Sequence, residues 1–146
     1  MIQTIAHFYD RDLQKLADEL NAYTTEAQIW ALGPRISNSG GNLCLHLCGN
    51  LQHFIGATLG GSGYVRQREL EFSRKDVPRV EMLAEVEHTR QVVATTFARL
   101  KMEDLQKDFP LEKHGSIVST EHMLLHLFGH LSYHLGQINY HRRMCS

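Results

Sequence analysis

A chain of 146 residues, with 42% hydrophobic content and a formal net charge of −1, has the material for one core and one domain spanning 1–146. Near-neutral charge without a basic run argues against nucleic acid as the main partner, and no apolar stretch approaches the roughly 18 residues that suit a membrane-spanning helix. Three cysteines, Cys44, Cys48 and Cys145, and a start (MIQTIAHFYDRDLQ) without the pattern of a secretory signal make the cytoplasm the expected compartment.

Leu13, Leu16, Ala17 and Leu20 recur at helical spacing, which predicts a first helix from about Ile2 to Ala22. Thr24-Thr25-Glu26 offers a cap for a short helical turn ending near Trp30, and Gly33-Pro34-Arg35-Ile36 is loop. A second helix begins near Asn38 or Ser39 and runs to about Leu59, where Gly60, Gly61 and Gly63 stop it. Gly40 and Gly41 weaken its first turn and leave that boundary loose. Residues 60–76 read as a polar connection. Asp76 as cap and Pro78 in the first turn open a third helix, which carries Met82, Leu83, Val86, Val93, Phe97 and Leu100 on one face to about Met102. Residues 103–118 form another connection, with a short helical turn before Pro110. Ser119 or Thr120 caps a fourth helix that continues to about Met144.

Four helices of this length with no convincing strand predict an all-α four-helix bundle. Antiparallel neighbours need only about 2–8 linking residues, whereas Gly60 to Asp76 could stretch roughly 50 Å, more than the roughly 30 Å length of the second helix. A crossover joining the second and third helices in the same direction is therefore open to this chain.

Ten histidines are the compositional oddity, and four of them, His122, His126, His130 and His134, step by four along the last helix. Each step turns about 40° and climbs about 6 Å, so neighbouring imidazoles share a face, as two ligands of one divalent ion do. His126 and His134 lie about 12 Å apart along the axis, too far to share an ion, so one adjacent pair must be joined by a ligand from elsewhere. The second helix supplies Asn42, His46, Asn50 and His53 on nearly one face, with His46 and His53 about 10 Å apart in height. One of these two histidines would complete a three-histidine site. A crossover favours His130 with His134; an up-down-up-down bundle favours His126 with His130. Spacing alone admits both.

The stretch NSGGNLCLHLCGNLQHFI, the following Arg66, Arg68 and Glu71-Phe72, and the closing H-x3-H-x3-H-x-G-Q together resemble the DinB-like (YfiT-like) superfamily of small bacterial helical proteins, along nearly the whole chain. The resemblance implies a bundle with a crossover and a metal held by three histidines: His46 from the second helix, His130 and His134 from the fourth. His126 is then a neighbour and not a ligand. His53 departs from the family pattern, which more familiarly carries an aromatic or basic residue there. The resemblance also implies a metal-dependent transferase or isomerase using a low-molecular-weight thiol, or a hydrolase.

Three neutral imidazoles leave a further position on a divalent ion, zinc or nickel foremost, with iron or copper also compatible. Such an ion can activate water or a thiol toward a small-molecule substrate. The competing class is a non-catalytic metal- or ligand-binding bundle. Cys44 and Cys48 read as buried small apolar residues, and Asn42 and Asn50 as hydrogen-bonding partners of substrate or of another helix. Arg66 and Arg68 are loop arginines able to meet an anionic thiol cofactor. Gly60-Gly61-Ser62-Gly63 lacks the Lys-Ser/Thr continuation of a phosphate loop. Phe8, Leu45 and Phe128 are apolar positions that a homodimer could use.

Overall fold

The computed structural model describes residues 1–145 as helices joined by loops: α1 (Ile2–Ala22), α2 (Glu26–Ile29), α3 (Gly40–Leu51), α4 (Arg68–Ser73), α5 (Arg79–Arg99) and α6 (Thr120–Cys145). A π-helical segment, Gln52–Ala57, prolongs α3, and a 3₁₀ turn, Met102–Gln106, follows α5. The fold is an all-α helical bundle. Among the described residues no helix is long and apolar enough to cross a membrane.

Local chemistry sets the boundaries. Thr25 and Gln28 form a reciprocal capping box on α2. Ser39 Oγ accepts from the Asn42 amide at 3.1 Å and so fixes the start of α3. The glycines that blurred this boundary in sequence admit a neighbour: a Cβ on Gly41 would stand 2.7 Å from the Trp30 ring. Asp76 does not cap α5. It adopts φ 56°, a left-handed turn that aspartate tolerates, and Pro78 takes the capping position instead. The first free amide, Arg79 N, donates to the Glu26 carboxylate at 2.6 Å, so the cap comes from α2. The helix also stops at Arg99, short of Met102, because Leu100 turns to extended backbone.

Residue pairs settle the topology. Tyr9 meets Leu124 and Glu19 meets Asn139, so α1 and α6 run parallel. Tyr9 meets Phe97, Asp10 meets Arg90 and Tyr23 meets Arg79, so α1 and α5 are antiparallel. Gln52 bonds Glu85 and Thr89, while Gly56 abuts Val92, which makes α3 and α5 parallel. Finally, Gly40 faces His141 and His46 faces His130, so α3 and α6 are antiparallel. The long connection is thus a crossover, and it carries α4, a helix absent from the sequence expectation, onto the flank of α3.

Every residue of α3 is buried, including Asn42, His46 and Asn50. Burying polar side chains costs free energy unless partners meet them. Of the three positions offered for a dimer surface, Leu45 lies in the core, Phe128 packs partly against it, and only Phe8 is exposed.

Candidate metal centre

The antiparallel pairing of α3 and α6 brings His46 level with His130 and His134. One ring nitrogen from each of the three lies within 4.8 Å of the other two. His46 Nε2 and His130 Nε2 stand 3.1 Å apart, close to the roughly 3.3 Å between two nitrogens bound to one tetrahedral zinc. The rings sit nearly perpendicular to each other, with centroids 4.9 Å (His46–His130), 5.3 Å (His46–His134) and 4.5 Å (His130–His134) apart. His46 is buried and the two α6 histidines are half-buried.

The other histidines of the row fall outside. His122 and His126 are exposed earlier on α6, outside the cluster that His46 forms with His130 and His134. His53 enters the π-helical segment, whose wider turn shifts the phase of the side chains, and its ring lies edge-on to Phe54 at 4.7 Å.

The outer nitrogens explain why the inner ones are available. His46 Nδ1 lies 2.9 Å from Glu71 Oε1, and Glu71 is gripped by Arg66 through Nε–Oε2 and Nη2–Oε1 contacts of 2.9 Å each. Arg66 Nη2 also comes within 3.4 Å of His46 Nδ1, but a guanidinium only donates. The nearer, anionic carboxylate decides the tautomer: Nδ1 carries the proton and Nε2 keeps its lone pair. On α6, His134 Nδ1 lies 2.7 Å from Gln137 Oε1, which likewise leaves Nε2 free. His130 differs, since its Nδ1 is buried with no hydrogen-bond partner. Its one polar contact among the described residues is through Nε2 toward His46, into the cluster. This donor set, three nitrogens with two outer partners fixing tautomers, fits a divalent ion.

Electrostatics favour the neutral rings such an ion needs. His130 is pushed down to about 4, first by burial and then by His134, His46, His126 and Lys113. Burial, opposed by the Gln137 contact, also lowers His134. For Glu71 burial works upward, yet the hydrogen bonds from His46 and Arg66 outweigh it and hold the carboxyl below its ordinary value.

Other candidates have structural employment. Asn42 donates to the carbonyls of Glu71 (2.9 Å) and Arg74 (2.8 Å), pinning α4 to α3. Cys44 and Cys48 are buried free thiols, and the hydrogen bond from Cys48 together with burial pushes Cys44 well up, away from reactivity. Arg66 is committed to Glu71, and Arg68, exposed on α4, lies over the Phe72 ring at 5.2 Å. Asn50 is buried with Oδ1 unpartnered.

Over residues 3–146 the sequence matches the family described as "Protein of unknown function (DUF1572)". The chain belongs to that family. No curated protein matched it. In this DUF1572 chain, the contributors that sequence reasoning missed are Gly49 and the roles of Glu71 and Gln137. Glu71 had only its place in a motif to mark it, because a carboxylate in a polar connection looks solvated until the connection folds back. Gln137 had a local signal, three residues after His134 on one helix, where side chains meet.

Proposed function

We propose that this chain is a DinB-like metal-dependent enzyme in which His46, His130 and His134 hold a divalent ion, zinc or nickel foremost, that activates a thiol or water against a small-molecule substrate. The observation that carries the reading is the convergence of the three imidazoles with the outer nitrogens of His46 and His134 already spent on Glu71 and Gln137. The crossover arrangement of α3 and α5 and the DUF1572 match along the chain support the DinB-like likeness.

Bound there, the ion would supply Lewis acidity at a coordination position the protein leaves free. The residues around it do the rest. Among the described residues the ligand cluster holds three groups and no fourth, and Glu71 is held on the far side of His46 by Arg66, out of competition with a substrate. The half-buried His130 and His134 leave the α6 side open to an incoming molecule. Lys113 is the fixed positive charge that bears on His130, so an anionic group meets attraction there. That favours a thiol that ionises on arrival, or a carboxylate-bearing substrate.

Elemental analysis of protein purified without chelator tests the site. One ion per chain is expected, lost in His46→Ala and His134→Ala with the helical circular-dichroism signal kept. Unchanged metal content in both variants would sink the assignment. Turnover of model electrophiles with several low-molecular-weight thiols then separates transferase from hydrolase, and silence in both assays would favour a non-catalytic metal module.

A further inference from the structure

We infer that Arg66 and Glu71 are a positioning pair: folded onto α3 by the crossover, they fix the tautomer and aim of His46 and thereby set the affinity of the three-histidine site. The inference rests on the metal-binding reading and extends it to residues outside the ligand set.

Three positions of α3, Asn42, His46 and Gly49, follow the spacing of one helical face, and each receives part of the crossover. Asn42 takes the carbonyls of Glu71 and Arg74, and Lys75 Nζ reaches back to Asn42 Oδ1 at 2.6 Å. His46 takes the Glu71 carboxylate on Nδ1 and the Phe72 ring against its face, centroids 4.9 Å apart. Gly49 provides the room: a Cβ there would stand 2.0 Å from Glu71 Oε2 and 2.7 Å from its Cδ. Any larger residue evicts the carboxylate.

The pair is a costly way to hold a helix in place. Glu71 is 6% exposed, and a buried ion pair is weak as a stabilising device compared with apolar packing of the same volume. What the pair does that a leucine would not is accept the proton of His46 Nδ1 with a full charge, in a direction fixed by two parallel bonds from Arg66. The imidazole is thereby oriented and made a better donor at Nε2. His134 has only the neutral amide of Gln137 in the same role. The two outer contacts are unequal, and His46 is the anchored ligand.

The test uses the full chain and zinc as probe. In the apo protein, long-range ¹H–¹⁵N spectra of the ring nitrogens should show His46 with its proton on Nδ1. In Glu71→Gln the amide can turn its NH₂ to the ring, and the proton should redistribute toward Nε2. Zinc affinity should fall about 10–100-fold in Glu71→Gln, as outer partners of metal ligands typically show. Gly49→Ala, which gains helix propensity while displacing the carboxylate, should show the same loss without loss of helical signal. Arg66→Lys, keeping charge but not the two-pronged grip, should fall between wild type and Arg66→Gln. Zinc affinity within twofold of wild type in both Glu71→Gln and Gly49→Ala, or a wild-type His46 protonated on Nε2, would overturn the inference. Should wild type take up no zinc, the metal reading falls, while the ring-nitrogen spectra still decide whether the pair sets the tautomer.

Discussion

Helix α6 carries two histidine arrangements with opposite outcomes. Near its end, His141 Nδ1 lies 2.6 Å from the Tyr23 hydroxyl and its Nε2 lies 2.8 Å from the Ala31 carbonyl. A carbonyl only accepts, so Nε2 carries the proton and Nδ1 accepts from Tyr23, whose hydroxyl burial holds firmly protonated. Cys145 Sγ stands 3.7 Å from Nε2 but finds no lone pair there to take its proton. Both nitrogens of His141 are used up inside the fold, and the residue ties α1, the loop after α2, and α6 together. Two turns earlier, Gln137 engages Nδ1 of His134 and, across on α3, Glu71 engages Nδ1 of His46, so that each Nε2 is kept for the cluster. The same side chain is a strut in one place and is left with an inward-facing nitrogen in the other, and the difference lies in which nitrogen the surroundings consume.

That contrast can be broken most sharply by exchanging the roles. His130→Ala should abolish zinc retention, weakening affinity by more than about 100-fold, beyond what losing an outer partner does. His141→Phe should leave zinc affinity within twofold; isothermal titration of both variants reads the difference, and equal losses would erase the distinction. Next in size is the stabilisation by zinc itself: at about 100 times its Kd the ion should add about 2.7 kcal/mol, visible as a raised Tm in wild type and His141→Phe but not in His130→Ala.

His141→Phe should in turn cost the apo protein about 1–3 kcal/mol, because the Ala31 carbonyl and Tyr23 hydroxyl lose their partner. Urea unfolding measures it, and a loss below about 0.5 kcal/mol would mean the strut is idle. A pH series sharpens the other side. The unfolded chain protonates His130 as pH falls through the ordinary 6.5, while the folded ring resists until about 4. The His130 contribution to apo stability is therefore complete above 6.5 and drains away as pH falls toward 4, by about 1–2 kcal/mol once solvent screening at this partly exposed ring is allowed for. His134 and His126 are lowered too and act in the same direction. A Tm equal at pH 7 and pH 5 would contradict this. Smallest of all, His126→Asn should change stability by less than about 0.5 kcal/mol and leave zinc content intact, since the ring is exposed outside the cluster.

Much of this was legible in the chain because helices are local. Apolar spacing and the cap at Thr25 placed α1 and α2, and Ser39 and Ser119 marked the starts of α3 and α6, because hydrogen bonds three or four residues apart depend on nearby side chains alone. The four-residue step put His130 and His134 on one face for the same reason. Where neighbouring atoms came from far along the chain, local reading failed: Asp76 gave way as cap to Glu26, and Arg66 turned from a free loop arginine into the clamp on Glu71.

The sequence by itself determined the helices, their buried faces and the short list of imidazoles able to share an ion, since periodicity needs no knowledge of what lies opposite. Only the tertiary structure decided which two α6 histidines meet His46, because that choice depends on the direction in which α3 and α6 pass each other. It also decided which nitrogen of each ring is left over. Hydrogen-bond partners are assigned by proximity in space, and Glu71 reaches His46 only after the crossover has folded back across α3.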